Sequence, residues 1–311
     1  MGYYIVRRVI LAMFVLLLVA GLTFALMNLV PGSPFLSERS QSPEVVKALM
    51  EKYGLDQPKI VQFRNYVLNA LKLDFGVSLK MQKNRPVMDI ISEMFPTSAK
   101  LGLLALCFAV IMGIPMGSLA AYYRGTPLDS FLRVVMTIGI SMPGFVLATI
   151  LLIIFGVKLK ILPTMGLDSW QGHILPVIAL GFNPMCYIGR LSRSSMLDVI
   201  HQDYIRTAKS KGVSAGVIIF KHALRNAFIP VLTYLGPLTA GILTGSFVVE
   251  SVFGIPGLGR YFIQSINNRD YPIIMATTLF FAFLVIFMNL VVDVLYKAVD
   301  PRIDVTKGAS S

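Results

Sequence analysis

The chain reads, from residue 196 to residue 230, MLDVIHQDYIRTAKSKGVSAGVIIFKHALRNAFIP. In the first half of this stretch apolar residues recur at helical spacing, which predicts an amphipathic helix. They are Leu197, Ile200, Tyr204, Ile205 and Ala208. Gly212 is expected to end that helix, because glycine adopts the left-handed backbone conformation of a helix end without steric cost. Ser214 is expected to cap a second helix, so the stretch is predicted to form a basic elbow of two helical arms.

The composition around this stretch is that of a membrane protein. Of the 311 residues, 55% are hydrophobic and 14% are charged, and the mean hydropathy is +0.72. Soluble domains carry about 25% charged residues. The net charge of +12 fits basic loops that stay in the cytoplasm. It does not indicate nucleic-acid binding, because no soluble basic domain is present to carry it.

Six apolar runs are free of charged residues, and each is a candidate membrane span. About 20 residues cross a bilayer as a helix, and a charge at the helix centre costs roughly 2.5–3.5 kcal/mol on insertion scales. The runs are 9–30, 101–121, 134–157, 174–189, 227–249 and 272–292. The fourth run is short and contains Pro176 and Pro184, so it is expected to extend into its flanks. The predicted fold class is therefore all-α, a polytopic membrane protein with six transmembrane helices.

The loop charges predict the orientation of these spans. Arg7 and Arg8 precede the first run, and the loop 190–226 carries seven basic residues against two acidic ones. Positive residues favour the cytoplasmic side, so both termini and this loop are expected inside.

The predicted organisation has four parts. They are a tail and first span at 1–30, an extracytoplasmic helical loop at 31–100, a five-helix core at 101–297 and a cytoplasmic tail at 298–311. Helical patterns begin near Pro43 and Pro58 in the outer loop.

The elbow resembles the cytoplasmic "EAA" loop of permease subunits of bacterial ATP-binding-cassette importers, in their oligopeptide and dipeptide branch. The resemblance lies in residues 203–212, in 222–227 and in Ile229-Pro230. Arg206 and Thr207 stand where the general motif has Glu and Ala, as in the peptide branch.

The resemblance extends along essentially the whole chain. It includes residues 53–56, 74–78, the glycine-rich turn 253–259, residues 268–271 and the segment 299–303. The long loop after the first span favours the first of the two peptide permeases. The resemblance implies the type I permease fold of these importers, in the bacterial plasma membrane, and uptake of dipeptides or oligopeptides.

The same resemblance implies the partners and the coupling site. The partners are a second similar permease, two cytoplasmic ATPase subunits and an extracytoplasmic peptide-binding protein. The chain would perform no chemistry and hold no cofactor or metal, with ATP bound by the partner subunits. The elbow would be the coupling helix that binds a groove on an ATPase. Its candidate coupling residues are Asp203, Tyr204, Arg206, Thr207, Ala208, Lys209, Lys211 and Gly212.

Polar residues inside the spans are candidates to line a translocation path, although ordinary contacts between helices would explain them equally well. They are Ser141, Asn183, Thr244, Ser246 and Asn289. Gly113 with Gly117 and Gly241 with Gly245 form small-residue pairs that allow close helix packing, either inside the chain or against a second permease.

Two other classes of function compete with the importer. An ion-coupled transporter or channel commonly places ionisable residues inside its spans, and the six runs contain none. An intramembrane enzyme needs a catalytic constellation at membrane depth, and no paired carboxylates, Ser/His arrangement or metal-like spacing is evident. Neither class is favoured by the sequence.

Overall fold

The structure, a computed structural model, describes residues 2–29, 47, 50–51, 54–200, 202–213, 217, 228–243 and 245–299. Helices dominate these residues, which confirms the predicted all-α class, and a lone antiparallel bridge joins Val77 to Pro86. In chain order the α-helices are α1 (Gly2–Leu29), α2 (Lys59–Ala70), α3 (Val87–Tyr122), α4 (Pro127–Ser141), α5 (Gly144–Leu151), α6 (Ile174–Ile200), α7 (Asp203–Ser210), α8 (Ile229–Leu243), α9 (Phe247–Val252), α10 (Leu258–Asn268) and α11 (Tyr271–Val299). A π-helical segment, Leu152–Lys158, continues α5.

Four described helices, α1, α3, α6 and α11, and the stretch Pro230–Val252 that combines α8 and α9 are long and apolar enough to cross a membrane, and the bent pair formed by α4 and α5 would make a sixth span. The fourth predicted run does extend into its flanks, because α6 reaches from Ile174 to Ile200 and tolerates Pro184 in its interior. The helix predicted after Pro58 is α2, with Pro58 at its N-cap. The pattern near Pro43 falls almost wholly outside the described residues.

The chain divides into two compact units, Met1–Pro96 with Leu258–Ile286 and Thr97–Gly257 with Phe287–Ser311. In the first unit, the buried residues Val87, Ile90, Leu258 and Ile273 form a core with their neighbours. In the second unit, two apolar clusters surround α6.

In the second unit, α6 packs against α3 and α4 through glycines. A Cβ atom on Gly117 of α3 would collide with the backbone of Gly189 and Arg193 on α6. A Cβ atom on Gly139 of α4 would collide with the Cys186 side chain. The pair Gly113 and Gly117 therefore packs inside the chain, because only glycine permits so close an approach.

The third apolar run is not one straight helix. It was expected to span 134–157, but α4 ends at Ser141 and the chain turns by 107° before α5 begins at Gly144. Pro143 explains the break, because proline has no N–H to donate to the carbonyl of Gly139. Asn183 of α6 donates from its Nδ2 to the carbonyl oxygens of Gly139 at 3.1 Å and Ile140 at 3.0 Å. The polar groups freed by the break are therefore satisfied within the protein.

The fifth apolar run is also interrupted. α8 ends at Leu243, Gly245 has a φ of +87°, and Ser246 caps the short helix α9. Glu250, which directly follows this apolar run in the sequence, is fully buried within α9. Its carboxylate accepts a hydrogen bond of 2.7 Å from Ser98 Oγ. The apolar spacing alone did not reveal this buried acid.

Candidate functional site

Of the elbow's first arm the structure describes residues 203–213, which consist of α7 and the turn that follows it. Asp203 lies in the first turn of α7, where a negative charge interacts favourably with the helix dipole. Thr207 Oγ1 donates to the carbonyl of Asp203 at 3.0 Å. The single amphipathic helix predicted over this stretch is divided in two, because α6 ends at Ile200 and α7 begins at Asp203, so that Leu197 and Ile200 belong to α6.

One buried side chain holds α7 against α3 and α6. Ile205 is fully buried, whereas the adjacent Tyr204 is 42% exposed. Ile205 forms a core cluster with Ala121, next to the end of α3, and Met196 on α6. Because this contact fixes the inner face of α7, the helix is held against two long helices, while Asp203, Tyr204 and Thr207 are exposed in the described part of the chain.

The turn after α7 requires glycine. Gly212 has a φ of +72°, and a Cβ atom there would meet nothing within 4 Å. Side chains other than glycine are disfavoured in this region by backbone sterics rather than by crowding. The predicted helix end at Gly212 is therefore confirmed, while Ser214 lies outside the described residues.

Five of the eight predicted coupling residues are described with their side chains. Asp203, Tyr204, Thr207, Lys211 and Gly212 are all exposed. The side chains of Arg206, Ala208 and Lys209 lie outside the described part of the chain. Ile205 was recognised as part of the apolar stripe, but its role as the anchor was not predicted.

A buried ion pair lies close to the elbow. Asp129 of α4 has 2% of its side chain exposed, and Arg193 of α6 has 20%. Arg193 donates from Nε to Asp129 Oδ1 at 2.8 Å and from Nη2 to Oδ2 at 2.9 Å. The N–H of Gly125, in the turn between α3 and α4, donates to Oδ2 at 3.0 Å. The sequence did not indicate this pair, because 64 residues separate its members.

The four described residues that were predicted to line a path lie on different helices or at their ends. Ser141 is exposed at the end of α4, and Asn183 is engaged at the break after α4. Ser246 Oγ accepts the hydrogen bond that caps α9, and Asn289 is half-buried on α11. Thr244 lies outside the described residues. A translocation role for these residues stays a prediction.

The first unit contains a third buried acid, Asp270, which the sequence did not indicate any more than it indicated Asp129 and Glu250. The Asp270 carboxylate accepts hydrogen bonds from Ser78 Oγ at 2.6 Å and from the N–H groups of Leu79, Lys80 and Met81 at 3.1, 2.9 and 3.0 Å. A hydrogen bond to a charged group contributes about 1.5–3 kcal/mol. Asp270 therefore fastens the segment before α3 to the start of α11.

The same unit has a cavity of about 550 Å³ lined by both polar and apolar side chains. Tyr66 lines it, and its buried hydroxyl finds no hydrogen-bond partner among the described residues. Burial raises the pKa of the Tyr66 phenol above its ordinary value, because the charged form loses solvation. The phenol therefore stays neutral at physiological pH.

Comparison with known proteins defines the class to which this architecture belongs. Residues 113–305 match the family of binding-protein-dependent transport system inner membrane components. Residues 1–102 match the N-terminal family of the same transport systems. The chain belongs to this family of inner-membrane transport components and is a permease subunit of an ATP-binding-cassette transporter.

Relatives match nearly the whole chain. A dipeptide transport system permease, DppB of Bacillus subtilis, is 46% identical over 99% of both chains. An oligopeptide transport system permease, OppB of Haemophilus influenzae, is 44% identical over 96% of this chain and 98% of its own. A glutathione transport system permease, GsiC of Escherichia coli, is 41% identical over 96% and 98%.

A solved structure shares the fold. The inward-facing MetNI methionine transporter aligns with a TM-score of 0.57 and 19% identity, over 68% of this chain and 97% of that chain. This likeness confirms the predicted importer permease fold.

Proposed function

We propose that this chain is a permease subunit of an importer for dipeptides or oligopeptides, the first of two similar permeases. The relatives named for dipeptides, oligopeptides and glutathione support this class, since all three are short peptides. An extracytoplasmic binding protein would deliver the peptide to the outer segments. ATP would be bound only by two cytoplasmic ATPase subunits, and the permease would need no cofactor of its own.

We further propose that the elbow binds a groove on one ATPase subunit. The observation that carries this proposal is the contrast within α7 between the buried Ile205 and the exposed Tyr204. A helix that is fixed on one face and open on the other can receive a force from a partner and pass it on without deforming. Interfaces and packed helices shift between discrete arrangements, so a displacement of α7 would move α3 and α6.

In this mechanism the residues of the elbow have different roles. Tyr204 and Thr207 would contact the ATPase surface, and Asp203 would stabilise the first turn of α7. Gly212 would set the direction in which the chain leaves α7. Closure of the two ATPases on ATP would then reorient the spans, and the peptide would pass inward when the path opens to the cytoplasm.

Co-purification tests this proposal. The tagged chain is extracted from its native membrane in mild detergent, and the proteins that accompany it are identified. We expect a second permease and two ATPase subunits with the unaltered chain. Gly212→Val should reduce ATPase recovery at least tenfold, because a β-branched residue resists the positive φ that directs the turn.

The matched control is Gly76→Val in the first unit. Gly76 has a φ of +77° and, like Gly212, has open space where a Cβ would stand. Both substitutions introduce the same backbone strain, so only a docking role predicts loss of ATPase with Gly212→Val alone. Recovery of the chain by itself, with peptide transport that needs no ATP, would contradict the importer and favour an ion-coupled transporter.

A further inference from the structure

The stability of the fold alone does not require a buried ion pair where Asp129 and Arg193 meet. Burying two charges costs several kcal/mol per ion, and well-packed apolar residues often replace such pairs without loss of stability. Here the two charged groups meet through two hydrogen bonds, of 2.8 and 2.9 Å, one to each carboxylate oxygen. This bidentate geometry fixes direction as well as distance.

The pair joins three helices at one level. Asp129 stands in the first turn of α4 and also binds the N–H of Gly125, which lies just beyond the end of α3. Arg193 stands on α6, one helical turn before Met196, and Met196 contacts the anchor of α7. A displacement of α7 would therefore act on this ion pair before it acts on the more distant parts of α3, α4 and α6.

Farther along these helices, the contacts leave little room to slide. The backbone of Gly117 on α3 lies against Gly189 and Arg193 of α6, and Gly139 of α4 lies against Cys186 of α6. Close-packed interiors of this kind transmit strain rather than absorb it. The packed helices α3, α4 and α6 are called the block here. The ion pair lies at the end of the block that is nearest the elbow.

We infer that Asp129 and Arg193 are positioning residues that make α3, α4 and α6 move as one body when the elbow is displaced. This inference rests on the proposed function of the elbow. The block carries the motion to the break between α4 and α5, where Asn183 of α6 holds the end of α4. Without the ion pair, α4 can lag behind α6, and ATP hydrolysis proceeds without productive opening of the path.

The experiment measures peptide uptake and ATP hydrolysis by the purified importer in lipid vesicles, each per assembled complex. Asp129→Asn keeps the side-chain volume but removes the negative charge. The double variant D129N/R193Q also removes the buried unpaired charge that a single change leaves. We expect uptake per complex to fall at least tenfold in both variants while ATP hydrolysis stays within twofold.

Arg133→Gln is the matched control. Arg133 Nε also approaches Asp129 Oδ1, at 3.4 Å, but its side chain is 53% exposed. Exposed ion pairs contribute little, so this variant should transport as the unaltered protein does.

Two outcomes would overturn the inference. One is normal uptake per assembled complex in D129N/R193Q, which would leave the pair a purely structural role. The other is an equal loss of uptake in Arg133→Gln, which would indicate a general charge effect. Failure of the elbow assignment appears in a different measurement, as full ATPase recovery with Gly212→Val.

Discussion

The position of Glu250 depends on two neighbouring glycines that have no side chain. It lies within the candidate span Pro230–Val252 and is fully buried. Its carboxylate lies between Gly245 and Gly257, and a Cβ atom on either glycine would overlap it. A buried carboxylate is costly unless it is hydrogen-bonded, so its retention there requires the hydrogen bond from Ser98 and the space that these glycines leave.

We therefore expect Gly257→Ala to destabilise the second unit. The added methyl group must displace the buried carboxylate, and overpacking of this kind costs about 1–3 kcal/mol. Thermal unfolding of the purified complex in detergent measures the effect as a lower midpoint. Gly144→Ala is the control, because a Cβ atom there would meet nothing within 4 Å. Equal midpoints for the two variants would refute the steric explanation.

Residue-scale features were the least predictable from the sequence. The helix end at Gly212 was predicted because glycine preference is local. The partners of Asp129, Glu250 and Asp270 were not, because each is brought near by tertiary packing across 64 to 192 positions. A lone acid beside an apolar run was the available signal. It does not identify which distant group will satisfy the acid.

At the scale of the element, α7 depends on one contact for its position. We expect Ile205→Ala to loosen α7 from the ends of α3 and α6, since removing a buried isoleucine costs about 2–5 kcal/mol. Ile205→Val should cost only about 0.5–1.5 kcal/mol. Limited trypsin digestion from the cytoplasmic side, at the basic residues of the elbow, measures the loosening as faster cleavage.

The two variants Ile205→Val and Ile205→Ala remove different amounts of the same side chain, so each serves as a control for the other. Cleavage should accelerate in the order unaltered protein, Ile205→Val, Ile205→Ala, while Tyr204→Phe on the exposed face should leave it unchanged. Acceleration by Tyr204→Phe equal to that by Ile205→Ala would show that burial of Ile205 does not hold the helix.

The helices themselves were predictable, and their breaks were not. Hydropathy located every long helix of the described part, because the cost of charge in a bilayer acts on each run separately. The break at Pro143 depends on Asn183 of another helix, which supplies hydrogen bonds that a straight span would not need. Likewise, the interruption before α9 depends on how Glu250 is enclosed.

At the scale of the whole molecule, the bent pair decides the topology. If α4 and α5 together cross the membrane, the chain has six spans and both termini are on the same side. If they enter and return, only the five other candidate spans cross, and everything after residue 158 changes sides. The basic loop 190–226 favours six spans, because its charges then lie in the cytoplasm.

Single cysteines test this topology in a chain in which Cys107 and Cys186 are replaced by alanine. We expect Gln57→Cys and Asp168→Cys to react with a membrane-impermeant maleimide in intact cells, and Thr207→Cys only after the membrane is permeabilised. All three positions are exposed, so a difference in labelling reports the side of the membrane. Gln57 precedes the bent pair and serves as the outer reference. Labelling of Thr207→Cys in intact cells, with Asp168→Cys protected, would mean that α4 and α5 turn back, and that the elbow cannot meet an ATPase in the cytoplasm.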